Sequence, residues 1–221
     1  MINRDPEGYR KLLAYQKACE LQIFTNEFVK NLPKTKTFFD LADQMSRSGR
    51  SGSKNIVEGW KRNSTKEYFD FLGFAIGAVE ELKDDAADIA TGVYSELMGL
   101  KGSMGQMGER GTPLALLVPL SPISRLELDK LKFYPLDKTL PPIIKLFLRA
   151  KELNFLLNQL QKSLDVKMDQ DHTKPVSQRI RENWQVDKKN DEEFKKYLDS
   201  LGIKRLLNGK MVSPGDPDYP V

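Results

Sequence analysis

Between Ser64 and Val93 the apolar residues Tyr68, Leu72, Ala75, Ile76, Val79, Leu82, Ala86, Ile89 and Val93 recur at steps of three and four. That spacing lines one side of an α-helix. Ser64-Thr65-Lys66-Glu67 opens the stretch as a capping box, with the Ser64 hydroxyl accepting from the third helical amide and Glu67 reaching back to the cap amide. At about 1.5 Å per residue the helix would be on the order of 45 Å long, which suits a bundle better than a lone globular helix. Phe69, Phe71 and Phe74 widen the apolar surface, so more than one neighbour is expected. The opposite face carries Glu80, Glu81, Asp84, Asp85 and Asp88 with one basic residue, Lys83, and predicts water or a basic neighbour there.

Three more long segments share this rhythm. Tyr9 to Leu32 places Leu12, Cys19, Leu21, Ile23, Phe24, Phe28 and Leu32 at helical spacing and stops at Pro33. A second segment begins near Phe38 with Leu41, Ala42 and Met45 and resumes at Ile56, Val57 and Trp60. The intervening Ser46 to Ser53 would be a loop by propensity, since each glycine costs about 1 kcal/mol inside a helix. Yet Met45, Gly49, Gly52, Ile56 and Gly59 keep the three-and-four spacing, which predicts one helix with small residues inward and arginines outward. Gly59 to Asn63 is then the turn before Ser64. Pro141-Pro142 opens the last segment, with Ile143, Phe147, Ala150, Leu153, Leu157, Leu160 and Leu164.

Four amphipathic rods, the first three joined by short links, predict an all-α fold: an antiparallel up-down four-helix bundle. The organisation read from the 221 residues is bundle helices one to three over 1–95, an insertion loop over 96–140, helix four over 141–164, and a partly disordered extension over 165–221. Within the insertion Gly99, Gly102, Gly105, Gly108 and Gly111 fall every third residue around Met98, Met104 and Met107, a flexible loop without the prolines of collagen. Leu114 to Leu120 is expected to pack on the bundle, and Ser121 to Leu131 to form a turn or two of helix. Phe194, Leu198 and Leu201 suggest a short helix ending near Gly202.

Most chemistry is missing from this sequence. A single cysteine, Cys19, leaves no internal disulfide and reads as a buried thiol. A single histidine, His172, lies between Asp171 and Thr173 in a polar stretch and is expected in solvent. No Glu-x-x-His pair of a di-iron bundle and no phosphate-binding loop is present. The acidic run around Asp84 reads as a solvated face rather than a cation site, because adjacent acids diverge around a helix. No enzyme, cofactor or metal site is therefore expected. The start is polar, without a signal-peptide pattern, and the apolar run Leu114 to Leu120 is too short to cross a bilayer. A cytoplasmic protein without a membrane partner is expected.

Binding remains. Net charge is only +4, so its distribution matters. From Met45 to Lys66 the charged residues are Arg47, Arg50, Lys54, Lys61, Arg62 and Lys66 against Glu58 alone, while the following stretch to Ser95 is acidic apart from Lys83. Two readings stay open: the stretches neutralise each other across a helix pair, or the basic face meets a polyphosphate. Arg47, Arg50 and Lys54 share one helical face, and a phosphate backbone rewards such grouping through counterion release. Trp60 and Tyr68 beside the patch are either base-stacking rings or packing residues.

The blocks Leu41-Ala42-Asp43-Gln44-Met45-Ser46-Arg47, Ser53-Lys54-Asn55-Ile56-Val57-Glu58-Gly59 and Ser64-Thr65-Lys66-Glu67-Tyr68-Phe69-Asp70-Phe71-Leu72 carry a resemblance, supported by Ala75-Ile76-Gly77 and Glu80-Glu81-Leu82. Leu13-Ala14-Tyr15-Gln16-Lys17-Ala18 and Leu160-Gln161-Lys162-Ser163-Leu164 add the first and last helix signatures. Together they resemble the four-helix-bundle family of proteins encoded in intervening sequences of bacterial large-subunit ribosomal RNA, which also includes the accessory variability determinant of diversity-generating retroelements. The resemblance implies a ring-shaped homo-oligomer, a pentamer, with a basic surface formed by Arg47, Arg50, Lys54, Lys61 and Arg62. In the retroelement branch it implies binding to a reverse transcriptase and its RNA. Glycines at 49 and 52, the long insertion and the extension depart from the family pattern. The expected function is non-catalytic binding of RNA or an RNA–DNA hybrid, with RNA or DNA and a reverse transcriptase as partners; the alternative is a protein-interaction scaffold.

Overall fold

The serine- and glycine-rich stretch, least helical by composition, lies inside an unbroken helix. The computed structural model describes residues 5–99 and 117–173 and, from 181 to 214, isolated positions. A 3-10 turn at Gly8–Lys11 leads into α1 (Leu13–Val29), followed by α2 (Lys36–Trp60) and α3 (Thr65–Thr91). Two short helices, α4 (Ser95–Gly99) and α5 (Arg125–Lys130), precede α6 (Pro142–Thr173). The chain divides into a bundle unit, 5–168, and a second unit made mainly of 169–221.

The bundle is α1, α2, α3 and α6, and its fold class is all-α as the periodicities require. Short turns make α1, α2 and α3 successively antiparallel. Lys17 pairs with Glu152 (3.7 Å) and Glu20 with Arg149 (3.5 Å), so α6 runs opposite to α1. Near the other end Gln161 Nε2 donates to the Phe69 carbonyl (3.1 Å), which fixes α6 antiparallel to α3. One continuous core joins Leu21 and Phe28, Met45 and Ile56, Leu72, Val79 and Leu82, and Phe147, Leu153 and Leu157.

Small residues on α2 determine how closely its neighbours approach. A Cβ on Gly52 would lie 3.0 Å from Val79 of α3 and 4.0 Å from Leu153 of α6, and one on Gly49 would meet Thr25 of α1 at 3.2 Å. A Cβ on Gly59 would lie 2.7 Å from both Phe71 Cβ and Tyr68 Cδ2. The propensity cost of these glycines is offset by dense packing on three sides.

Several sequence expectations are corrected. α1 is shorter than Tyr9 to Leu32; Cys19 is only half-buried and Ile23 is exposed. α2 continues through Gly59 to Trp60, so the turn begins at Lys61. At the start of α3 the Ser64 hydroxyl accepts from the Glu67 amide (3.0 Å) as expected, but the Glu67 carboxylate accepts from that hydroxyl (2.9 Å) in place of the cap amide. α3 ends at Gly92, whose φ of 87° allows the Val93 amide to reach the Asp88 carbonyl (3.0 Å); Val93 itself is exposed. α6 runs on past Leu164 to Thr173.

Over its described part the insertion is packed rather than loose. Leu117, Val118 and Leu128 are buried, Ile123 N donates to the Ala90 carbonyl (3.2 Å), and Ile143 N donates to the Leu117 carbonyl (3.1 Å). Ser124 and Glu127 form a full capping box that starts α5. Lys151 of α6 donates to the carbonyls of Asp129 (2.6 Å) and Leu131 (3.0 Å) at the C-terminal end of α5. The glycine repeat from Gly102 to Gly111, together with Met104 and Met107, lies outside the described residues.

In the second unit helical positions 198–200 end at Gly202, φ 69°, where Ile203 N donates to the Leu198 carbonyl (2.9 Å). That agrees with the helix end expected there. A two-residue antiparallel ribbon then pairs β1 (Lys204–Arg205) with β2 (Met211–Val212), too short to show as alternation in sequence. The His172 side chain lies outside the described residues.

Gly59→Ala is expected to lower stability by roughly 1–3 kcal/mol through overpacking, although alanine is the better helix former. Gly77→Ala, where nothing lies within 4 Å of the added Cβ, is expected to raise it by about 0.5–1 kcal/mol. Urea midpoints that move in the same direction for both variants would contradict this packing.

Candidate nucleic-acid interface

The inner side of α2 is taken up by close contacts, so its long polar side chains point outward. Arg47, Arg50 and Lys54 are all exposed there, and Lys61, Arg62 and Lys66 are exposed around the α2–α3 turn. They are not equivalent. Arg47 pairs with Asp43 one turn earlier on α2, and Lys66 with Asp70 on α3 (2.9 Å). The Arg62 guanidinium lies over the Phe71 ring, 4.6 Å from its centroid. Arg50, Lys54 and Lys61 have no ion pair among the described residues. Glu58 is exposed on the same face, so the outer stripe reads Asp43, Arg47, Arg50, Lys54, Glu58, Lys61. Exposed pairs such as Arg47–Asp43 contribute about 0–1 kcal/mol, so a phosphate can take over either cation at little cost.

The acidic face of α3 does not neutralise this stripe. Toward it α2 presents neutral groups: Ser48 Oγ donates to Glu81 Oε2 (3.2 Å) and Gln44 Nε2 to Asp85 Oδ1 (3.3 Å). The basic neighbour expected for α3 comes from the insertion instead. Arg125 of α5 bridges Asp84 and Asp88, the latter at 3.2 Å, and Lys83 pairs with Glu80 on its own helix. Thus the charges of Arg47, Arg50 and Lys54 are spent on no residue of α3. Sequence reasoning missed Arg125, although its signal, Ser124-Arg125-Leu126-Glu127, is a capping box.

Asp85 bears the cost of this crowding. Burial, then the charges of Asp88, Glu81 and Asp84, push its carboxyl up to about 6. Burial, then the charges of Asp85 and Asp88, raise the Tyr94 phenol. Among the described residues no group of three or more His, Cys, Asp or Glu is placed to hold a metal ion. No described helix is long and apolar enough to cross a membrane.

The two aromatics singled out by position are packing residues. Tyr68 is 2% exposed, and Trp60 meets its edge at 5.9 Å while donating from Nε1 to the Asp5 carbonyl (2.9 Å). Next to them on α3, Phe71 is half-buried and Phe74 exposed.

An up-and-down helical bundle whose second helix turns unpaired cations outward defines the class: a small helical protein with a basic edge. Residues 10–91, from the first turn to the end of α3, match the 23S rRNA-intervening sequence protein family. The match spans the first three bundle helices, including the motifs around Asn55-Ile56 and Ser64, while α5, α6 and the second unit lie beyond it. No curated protein and no solved structure matches the chain.

The pH dependence of stability follows from Asp85. Its folded carboxyl keeps a proton to higher pH than the unfolded one, so the folded state gains stability as pH falls from neutral through about 6. Asp5, Glu127 and Asp137, whose carboxyls are held below the ordinary range, act only at lower pH. Asp85→Asn is expected to raise the urea midpoint at neutral pH and flatten its rise between pH 7 and about 5. An unchanged slope would show that this carboxyl is not the titrating group.

Proposed function

We propose that this protein binds nucleic acid without catalysis, holding RNA or an RNA–DNA hybrid by its phosphates along the outer face of α2 and the α2–α3 turn. The observation that carries this reading is that Arg50, Lys54 and Lys61 are exposed and engage no carboxylate among the described residues. A structural ion-pair network would have used those charges. Arg47, Arg62 and Lys66 border them and add contacts once a polyanion displaces their weak partners. One stripe supplies few contacts, and repetition around a homo-oligomer, a pentamer by the family resemblance, would multiply them. In the retroelement branch of that resemblance, the RNA so held would be the substrate of a reverse transcriptase. We place the protein in the cytoplasm, where such RNA resides.

A second reading is supported by Asp43 and Glu58, which bracket the cations on the same face. Alternating charge of this kind fits a protein helix of reversed pattern, and the molecule would then be a scaffold.

The two readings differ in salt dependence. Replacing Arg50, Lys54 and Lys61 together by glutamine is expected to reduce the slope of log K against log salt by about 2 for a single strand, with helicity unchanged. Unaltered binding and slope in a folded triple variant would reject the nucleic-acid reading.

A further inference from the structure

Beside the cations of the α2–α3 turn lies an aromatic surface that the core does not use. Phe71 and Phe74 meet edge to face, with centroids 5.7 Å apart and planes at 87°. Phe71 leans on α2, where its Cβ fills the space beside Gly59, and Arg62 covers one face of its ring. Phe74 is 62% exposed. One turn further along α3, Gly77 contributes no side chain, and nothing approaches within 4 Å of where a Cβ would be. The ring of Phe74 is therefore open to solvent at the edge of a basic turn.

Its level along the bundle is fixed by contacts. Gly59 lies against Phe71, Gly52 against Val79, and Ser48 bonds Glu81, so the antiparallel register brings Phe74 abreast of the Lys54–Glu58 turn of α2. Lys54 and Lys61 are unpaired among the described residues, Glu58 is the opposing charge on α2 at that level, and Asp70 is already taken by Lys66. A single exposed phenylalanine is ordinary. An open ring held by a second ring, at the level of Lys54 on the neighbouring helix, has the composition of a stacking platform, in which an aromatic face takes a base while cations hold the adjoining phosphates. A symmetric contact between two copies through this surface would oppose Lys54, Lys61 and Arg62 to themselves.

We infer that Phe74 stacks an unpaired base of a single-stranded nucleic acid whose phosphates are held by Lys54 and Lys61, with Phe71 and Arg62 fixing the ring from behind. This rests on the nucleic-acid reading above and narrows it to single strands. Bases paired inside a duplex present no free face to the ring.

The test uses the full-length chain, a labelled oligouridylate of about 12 nucleotides, the same strand with abasic residues, and a blunt duplex of equal length. Phe74→Ala is expected to weaken oligouridylate binding roughly 5- to 100-fold, and Phe74→Tyr to retain it. Duplex binding and the salt slope should stay unchanged, since no phosphate contact is removed. The abasic strand should bind wild type and Phe74→Ala alike. If wild type binds oligouridylate and Phe74→Ala binds it equally well, the inference is overturned while the phosphate reading stands. A change in oligomeric mass on Phe74→Ala would overturn it by assigning the ring to a contact between copies. If wild type binds neither single strand nor duplex, both readings fall.

Discussion

Close approach of helices to α2 is the constraint on which the rest of this molecule depends. Gly49 faces Thr25, Gly52 faces Val79 and Leu153, and Gly59 faces Phe71 and Tyr68, so at these three positions a single helix meets α1, α3 and α6 with no side chain of its own in between. Ser48 and Ser53 extend the same small-residue surface, and Ser53 Oγ donates to Gln22 of α1 (3.0 Å). Helix propensity alone would disfavour this stretch, with each glycine costing about 1 kcal/mol. Contacts from three neighbours make up the difference, because dense packing gathers many small dispersion terms.

The same crowding sorts the charges. The inner face of α2 is filled by glycines, serines and apolar side chains such as Met45 and Ile56, and Arg47, Arg50 and Lys54 lie on the outer face. Where α2 meets the acidic side of α3 it offers Gln44 and Ser48, neutral donors short enough for the gap. The acids are compensated from elsewhere in the chain, by Arg125 on a short helix of the insertion. A segment that looks dispensable thereby supplies the α3 acids with a counter-charge that α2 does not. Compensation is incomplete at Asp85, where Oδ2 is buried with no partner among the described residues and the proton is held to about pH 6.

Match and departure divide along the chain. The stretch over 10–91 that matches the 23S rRNA-intervening sequence protein family contains α1, α2, α3 and all six cations of the candidate interface. Outside it, 117–131 is tied to the bundle through the Ala90 and Leu117 carbonyls and through Lys151. The departure is therefore built into the core through Leu117, Val118 and Leu128.

The sequence by itself determined the four rods, their order and the outward side of α2, because burial of apolar and small residues at three-and-four spacing has one helical solution. It also fixed the start of α3 at Ser64 and marked 46–53 as helix against propensity. Only the tertiary structure decided what compensates the α3 acids: Arg47–Asp43 and Lys66–Asp70 are i,i+4 pairs within single helices, whereas Arg125–Asp84 needs a fold-back across the insertion. It likewise decided which aromatics are surface: Phe69, Phe71 and Phe74 widen the apolar stripe alike in sequence, yet the first two are half-buried and Phe74 faces water. Periodicity names the sides of a helix; what covers each side is set by distant residues, and no local spacing encodes that.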